Sequence, residues 1–492
     1  MSRVPASASA GVRKFFCGPE SFSPDLAPIV GEAPELRNYF VCAGLNSIGI
    51  LSAGGLGRLV AHWVKTGAAD MDVTQMNVER LQPFQNTPAF RRERVKETLG
   101  LVYKTHFPYK SKESGRGAKR SPFHERLAQR NACFKDVSGW EGADWFAPPG
   151  QRAEVPQHSW GKPSFFAHWA AEHRACREGV VSLDMSFMSK FLVLGRDAGR
   201  ALNFLSTANV DAAEHTITYT QWLNAAGRME ADLTVTKLAG DKFLVVATDT
   251  AHRHVEAWMR RHLDPQGDRH VTVTDVTGAF AQLNVQGPRS RELLQRLADC
   301  DMSDAAFPFR AAREVSIGMA RVLCARITYL GELGYELHIP AEHALHVFDE
   351  VHAAGAQLGL VNAGLKALAS LRMEKAYRDY GHDMDNTDTL LEVGLGFTAD
   401  YQKPGGFLGK EATMAQRDEM KRLGGLRSRL LQVLVGDADS MMYHGEVIYR
   451  NGARVGDVRA ASYGHTLGGA VGLAMVTAEE GQVVNKQYIE SG

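Results

Sequence analysis

The chain is short of the features that would assign it quickly. Its 492 residues carry 56 basic and 56 acidic side chains, so the formal net charge is zero and no global field favours nucleic acid or a membrane surface. Cysteine is scarce, and Cys17, Cys42, Cys133, Cys176, Cys300 and Cys324 lie far apart with no C-x-x-C spacing. That excludes a zinc ribbon or disulfide framework and fits a reducing compartment, so the protein is not expected to be secreted. Long apolar runs are missing too. The most apolar stretch, Tyr39 to Val64, is broken by Asn46, Ser47, Arg58 and His62, so no membrane span is expected. There is no G-x-G-x-x-G, no G-x-S-x-G, no P-loop and no paired-carboxylate glycosidase pattern. His168 and His173 are five apart and make no H-E-x-x-H, and His252 and His254 do not share a helix face. No metal site is expected.

What is present reads as about three domains' worth of ordinary globular sequence, 44% apolar and 23% charged. Val12 to Phe16 reads as the start of a strand, although Arg3, Arg13 and Lys14, with several serines and no acid among the first fourteen residues, also carry a trace of a mitochondrial presequence. Leu36 to Ala43 reads as a strand. A glycine-rich turn, Gly44 to Gly49, then leads into Leu56, Leu59, Val60, Trp63 and Val64 at helical spacing. A strand feeding a helix through glycines offers backbone N–H groups to an anion or a polar ring edge. Residues 70–155 read as a polar, irregular connector. Ten Lys/Arg against three Glu between Arg91 and Arg120 give it a local net charge of +7. From about 156 the texture is α+β with antiparallel sheet, and from about 430 it is all-β. There Asn451-Gly452 marks a hairpin between Gly445–Arg450 and Ala453–Val455.

Two places can carry chemistry. Ile327 to Leu337 reads as strand, tight turn, strand, with Gly331 and Gly334 bracketing the turn. It is either an ordinary hairpin with a surface Glu or a device that presents the Tyr329 ring and the Glu336 carboxylate to a flat heterocycle. In Asp232 to Thr236, Leu233 and Val235 share one face while Asp232, Thr234 and Thr236 share the other. Asp232 is either a solvated strand end or an acid aimed from a rigid strand into a pocket, where it can orient or protonate a ring nitrogen.

These segments resemble a known family. Tyr219 in Thr218-Tyr219-Thr220, Asp232 in Leu223 to Leu233, and the Tyr329 to Glu336 hairpin are similar to the folate-binding domain of glycine-cleavage T-proteins. So are Gln286-Gly287-Pro288-Arg289, Leu371 to Lys375 and Phe407 to Ala412, and Tyr463 to Gly468 resembles the C-terminal barrel. Cys17 to Asp25, Gly31 to Leu36 and Gly44 to Gly49 resemble the end of the flavin domain of dimethylglycine and sarcosine dehydrogenases, a layout shared by the regulatory subunit of pyruvate dehydrogenase phosphatase. The resemblance covers essentially the whole chain. It implies an α+β fold in four parts: a flavin-domain remnant (1–69), a connecting flavin-oxidoreductase segment (70–155), an aminomethyltransferase-like folate domain (156–429) and a shortened β-barrel (430–492).

The resemblance also implies a function: transfer of a one-carbon unit from an oxidised N-methyl amine to tetrahydrofolate. Asp232 would be the catalytic carboxylate, Tyr219 and Tyr329 would line the pterin slot, and Glu336 would accept from the pterin's donor edge. Gly44, Asn46, Ser47 and Gly49 would touch FAD. Nearly all of the flavin domain is absent, so the chain alone is expected not to hold FAD, which would need a flavin-domain polypeptide in trans or upstream. The arginine and acid that meet folate in T-proteins fall here on Leu368 and Ala369. The barrel's early stop at Gly492 is expected to leave a strand edge unpaired or covered. The implied compartment is the mitochondrial matrix or the cytoplasm. Two alternatives remain at this stage, a non-catalytic regulatory subunit and a tetrahydrofolate-dependent demethylase of O- or S-methyl donors.

Overall fold

The computed structural model describes residues 4–151, 153 and 158–491. The expected boundary at 155/156, Arg3 and the terminal Gly492 lie outside the described residues. The fold is α+β, built on three antiparallel sheets. A five-stranded sheet runs in the order Thr272–Asp275, Ser189–Leu194, Lys242–Ala247, Met229–Ala239, Thr216–Leu223. A six-stranded sheet runs Ala312–Ile317, Ala320–Ala325, Gly334–Pro340, Phe280–Gln286, Val181–Asp184, with Val361–Asn362 added in parallel at the edge. The C-terminal part is a four-stranded sheet, Ser428–Leu434, Gly469–Thr477, Ala453–Gly464, Val447–Arg450.

Strand alternation decides what each sheet buries. Leu233 and Val235 enter a core with Phe191, Val193, Val245, Val255 and Met259, and the C-terminal sheet adds Leu430, Val471 and Leu473 to that same core. Truncating Leu233 to alanine there costs about 2–5 kcal/mol. Leu283, Val285, Tyr335 and Leu337 form a second core under the six-stranded sheet. The helix Leu365–Glu374 lies against the four-stranded sheet and brings Arg372 inward, where it is almost fully buried. The Asn451-Gly452 hairpin forms as expected, with φ of 52° and 81° at the two turn residues.

The front of the chain departs from expectation in two places. Val12 to Phe16 is not strand: it is irregular, with Phe15 and Phe16 fully out in solvent, because no partner strand lies beside it. The connector is not irregular either. Pro88–Leu101 is a helix whose start is capped by the Thr87 hydroxyl, and Ala132–Val137 pairs with Trp140–Phe146. Some of its basic residues find partners, while Arg91, Arg92, Lys96, Lys104 and Lys110 stay exposed as expected of a solvated face. Arg94 bonds Asp136 (2.8 Å), Arg116 pairs with Glu141, and Lys119 sits over the Phe84 and Trp140 rings.

The front segment is fastened to the five-stranded sheet. Asn386 accepts from Val73 N and donates to Met71 O, both at 2.9 Å. His254 lies between Glu79 (2.7 Å) and Glu230, meeting the backbone carbonyl at 2.9 Å and the carboxylate at 3.2 Å. Burial works against its charge, but the hydrogen bonds to Glu230 and Glu79 raise the imidazole to about 10, so it is an imidazolium at neutral pH. Among the described residues no helix is long and apolar enough to cross a membrane.

Candidate functional site

Asp232 projects from the open face of Met229–Ala239, flanked in sequence by the buried Ala231 and Leu233. It keeps partial access in a strand that is otherwise buried around it. Tyr219 does the same in Thr216–Leu223, and Glu336 in Gly334–Pro340. Three residues singled out from the sequence are thus partly accessible positions in largely buried stretches of strand. Asp232 is not a solvated strand end.

The neighbours of Asp232 are specific. Gln221 lies directly across the strand pair and donates from Nε2 to Oδ1 at 2.8 Å. The Gln221 carbonyl oxygen in turn accepts from Thr398 and Thr207, which fixes the amide so that its N–H points to the acid. Burial pushes the Asp232 carboxyl up to about 7; hydrogen bonds from Gln221 and Tyr219 pull it down, and the negative charges of Asp379 and Asp383 push it up again. The phenols of Tyr219 and Tyr329 are both lifted well above their ordinary range, by burial first and in part by the Asp232 charge, so both stay protonated. Tyr329 donates to the Arg378 carbonyl at 2.9 Å. Tyr219, Asp232 and Tyr329 are therefore mutual neighbours.

Sequence reasoning missed the charged layer behind them. Arg372 makes a two-pronged pair with Asp383 (2.5 and 3.0 Å), Asp383 accepts from Asp379 N (2.8 Å), and His382 meets Asp379 at 3.2 Å. Arg378 is tied to Val393 O (2.9 Å) and its charge acts on Tyr219 and Asp232. The signal was the crowding of Asp379, His382 and Asp383 seven to eleven residues after Arg372, too few apolar positions for another helical turn.

Glu336 belongs to the other sheet. Asn284 stands opposite it and donates at 3.4 Å, and His338 lies 3.8 Å away. Burial raises Glu336 to about 7, with the Lys190 charge opposing. Among the described residues no hydrogen bond joins Glu336 to Asp232, Tyr219 or Tyr329. The tight hairpin expected over Ile327 to Leu337 does not form. Gly334–Pro340 pairs instead with Ala320–Ala325 and Phe280–Gln286, and residues 326–333 are the irregular loop between them. Gly331 has the positive φ expected of it (76°). Gly334 is required for a different reason: a Cβ there would fall 1.7 Å from the Gln286 amide oxygen.

The four residues expected near a flavin sit on the turn between Phe40–Ala43 and the helix Gly49–Thr66. Gly44, Asn46 and Ser47 have φ of 64°, 51° and 71°. Asn46 is buried and spent internally, accepting from Ser23 N (2.8 Å) and donating to Gly44 O (2.7 Å). Ser47 is exposed, and the next helical turn presents Ile50 and Leu51 to solvent. These residues do not by themselves enclose a flavin. A cleft of about 200 Å³ is lined by Lys119, Trp140, Asp249, His252 and Asp275, and another of about 190 Å³ by Ala226, Gly227, Arg228 and Gln416. Neither is lined by Asp232.

With this geometry in view, the comparisons are consistent. Residues 123–403 match the GCVT N-terminal domain, 66–121 the FAD dependent oxidoreductase central domain, and 428–491 the glycine cleavage T-protein C-terminal barrel domain. A 4-methylaminobutanoate oxidase (formaldehyde-forming) of Paenarthrobacter nicotinovorans is 41% identical over 96% of this chain and 56% of its own length. The mitochondrial sarcosine dehydrogenase of Homo sapiens is 33% identical, and the mitochondrial pyruvate dehydrogenase phosphatase regulatory subunit of Mus musculus 32%, each over 100% of this chain and 57% of its own length. The chain thus spans little more than half the length of these relatives. Among solved structures, the glycine cleavage system aminomethyltransferase T from Bartonella henselae shares the fold, with a TM-score of 0.60 at 20% identity over 73% of this chain and 90% of its own.

Proposed function

Since the chain belongs to the GCVT domain family, in the branch that includes sarcosine and dimethylglycine dehydrogenases, we propose that it is the tetrahydrofolate-dependent one-carbon transfer module of an oxidative N-demethylase. One observation carries the reading. Asp232 is a partly accessible carboxyl on a buried strand, held near neutrality by its surroundings and flanked by two protonated phenols. A group poised near 7 can take up and release a proton under working conditions.

Bound tetrahydrofolate supplies the nitrogen that takes up the one-carbon unit. Ionised Asp232 accepts the proton that this nitrogen loses, and its Oδ1 is kept in place by Gln221. Tyr219 and Tyr329 offer ring faces to a flat heterocycle, and the Tyr219 hydroxyl stabilises the negative carboxylate. Glu336 accepts N–H groups of the amino-pyrimidine, held by Asn284. Leu368 and Ala369 bring no charge to the tail of a folate, so affinity comes from the ring end. The amine-oxidising half lies outside the residues seen here. Gly44, Asn46, Ser47 and Gly49 would at most contribute one wall to FAD, so no step is drawn through it. A flavin-bearing stretch of the same protein or a separate polypeptide would supply the methylated amine's oxidation. The relatives named mitochondrial and six unpaired cysteines support the mitochondrial matrix or the cytoplasm.

The test is Asp232→Asn. It keeps tetrahydrofolate binding within about tenfold and slows methylene transfer about 10²-fold or more. Unchanged transfer removes the role. The regulatory relative supports a second reading, a non-catalytic scaffold. Calorimetry with tetrahydrofolate separates the two: heat of binding supports the transfer module, and no heat from the folded chain supports the scaffold.

A further inference from the structure

The acid on the five-stranded sheet is aimed by a residue from outside that sheet. Gln221 and Asp232 face each other across Thr216–Leu223 and Met229–Ala239. Gln221 is 0% exposed, so its amide depends on protein partners alone. Its Nε2 donates to Asp232 Oδ1 at 2.8 Å. Its Oε1 lies 2.5 Å from the Thr398 hydroxyl and 3.5 Å from that of Thr207. Thr398 comes from 177 residues further along the chain, in a stretch that is neither helix nor strand. That stretch is tied to the sheet a second time, by Asp400 N to Thr207 O at 3.0 Å, and Thr207 N bonds Gln221 O at 3.0 Å. These ties hold the Thr398 hydroxyl against the Gln221 amide.

A buried amide can in principle turn over, exchanging its oxygen for its nitrogen. Turned over, Gln221 would set Oε1 against Asp232, two acceptors in contact unless the acid is protonated. It would also set Nε2 against Thr398 Oγ1 at a spacing that suits O–H···O and is too short for N–H···O. The Thr398 hydroxyl has one proton and two acceptors in reach, Gln221 Oε1 and Leu395 O at 2.8 Å. Leu395 O already receives Thr398 N at 3.0 Å, whereas Gln221 Oε1 has, among the described residues, only the more distant Thr207 hydroxyl besides. The proton therefore goes to Gln221.

We propose that Thr398 is a positioning residue: its hydroxyl pins the Gln221 amide with the N–H side toward Asp232, and so favours the ionised acid over the protonated one. The proposal rests on the folate reading and deepens it, because Asp232 must be ionised to accept a proton from the folate nitrogen. The charged and titratable groups around Asp232 are Tyr219 from the partner strand, Tyr329 from the loop 326–333, and Arg378, Asp379 and Asp383 from the residues after the helix Leu365–Glu374. Among the described residues none of them is hydrogen-bonded to Thr398, and Asp400, on the same stretch as Thr398, turns to Gln402 N at 3.0 Å. Thr398 therefore acts on Asp232 through the amide.

The experiment titrates Asp232 in the whole chain by infrared difference spectroscopy of its carboxyl band, assigned with Asp232→Asn. It follows methylene transfer to tetrahydrofolate over the same pH range. Thr398→Val keeps the side chain's shape and loses the hydroxyl. Its Asp232 midpoint is expected about 0.5–1 pH unit above that of wild type, the scale of one hydrogen bond. Transfer at about pH 6.5 then slows about three- to eightfold and recovers toward about pH 9. Thr398→Ser keeps the hydroxyl and restores the wild-type midpoint. A midpoint that stays or falls in Thr398→Val, or that rises as far in Thr398→Ser, overturns the proposal. Should Thr398→Val not fold, wild type carrying ¹⁵N-labelled glutamine decides. A pinned amide keeps one Nε2 proton of Gln221 beside Asp232 at every pH, so that resonance alone follows the titration, and both protons moving together overturns the proposal. Wild type that neither binds tetrahydrofolate nor transfers a one-carbon unit overturns the folate reading, while the infrared titration still decides this inference.

Discussion

The two large sheets each hold one carboxylate at about 7; burial raises both, and different groups restrain them. On the five-stranded sheet, burial and the like charges of Asp379 and Asp383 raise Asp232, while neutral donors, Gln221 and Tyr219, restrain it. On the six-stranded sheet, burial raises Glu336 and a cation, Lys190, restrains it. Equal values therefore do not mean equal environments. On the proposed reading Asp232 is the proton-exchanging group, in a setting where a change of neighbour moves it either way. On the same reading Glu336 is the recognition group, its charge favoured by one buried lysine and by the Asn284 hydrogen bond. That lysine, itself brought down to about 7 by burial against the pull of Asp184, Glu336 and Asp275, is anchored to Ser186 O (3.1 Å) and Met188 O (2.8 Å).

Three substitutions sharpen or break this comparison. The largest effect is expected from Lys190→Met. Without the cation Glu336 rises further and is neutral at pH 7, so tetrahydrofolate binding weakens about tenfold or more and recovers toward pH 9. Titration calorimetry across that range checks it, and binding that stays flat with pH would place the control of Glu336 elsewhere.

Next is stability in Asp232→Asn. The acid titrates near 3.8 when unfolded and near 7 when folded, so wild type loses stability as pH rises from about 4 to about 7 and stays low above that. The asparagine variant carries no such loss. It is expected to melt several degrees higher than wild type at pH 8, with the gap closing as pH falls toward 4, measured by thermal denaturation. The smallest effect belongs to Asp379→Asn. Removing that like charge lowers Asp232, so the midpoint of the transfer rate against pH moves down and the rate at pH 6.5 rises about two- to threefold. A midpoint that moves up would mean the Asp379–His382 pair acts on Asp232 by another route.

The readable parts of the sequence were those fixed by neighbours in the chain. Alternation around Leu233 and Val235 put Asp232 on the open face, and Asn451-Gly452 named its own turn. Helical spacing from Leu56 to Val64 located the core of Gly49–Thr66. What stayed hidden depends on distant pairing. The Ile327 to Leu337 segment has the composition of a hairpin, yet its second arm pairs with Ala320–Ala325 and with Phe280–Gln286, some fifty residues upstream. The pairing of Arg94 and Arg116 in the basic connector was hidden because their partners, Asp136 and Glu141, come later in the chain. Arg372 and Asp383 were invisible as a site because a buried ion pair has no local pattern.

The histidine clamp on the front segment bears on how this protein can be cut. Glu79 precedes residue 123, where the matched transferase domain begins, while its two companions, His254 and Glu230, lie within it. A recombinant fragment trimmed to that boundary would strip the imidazolium of one counter-ion, uncover it, and leave it with Glu230, two residues from Asp232 on the same strand. Glu230 remains as a partner, and the loss of the second charge-assisted hydrogen bond costs about 1.5–3 kcal/mol. An expression product that begins ahead of Met71 keeps Glu79 beside His254 and both backbone partners of Asn386.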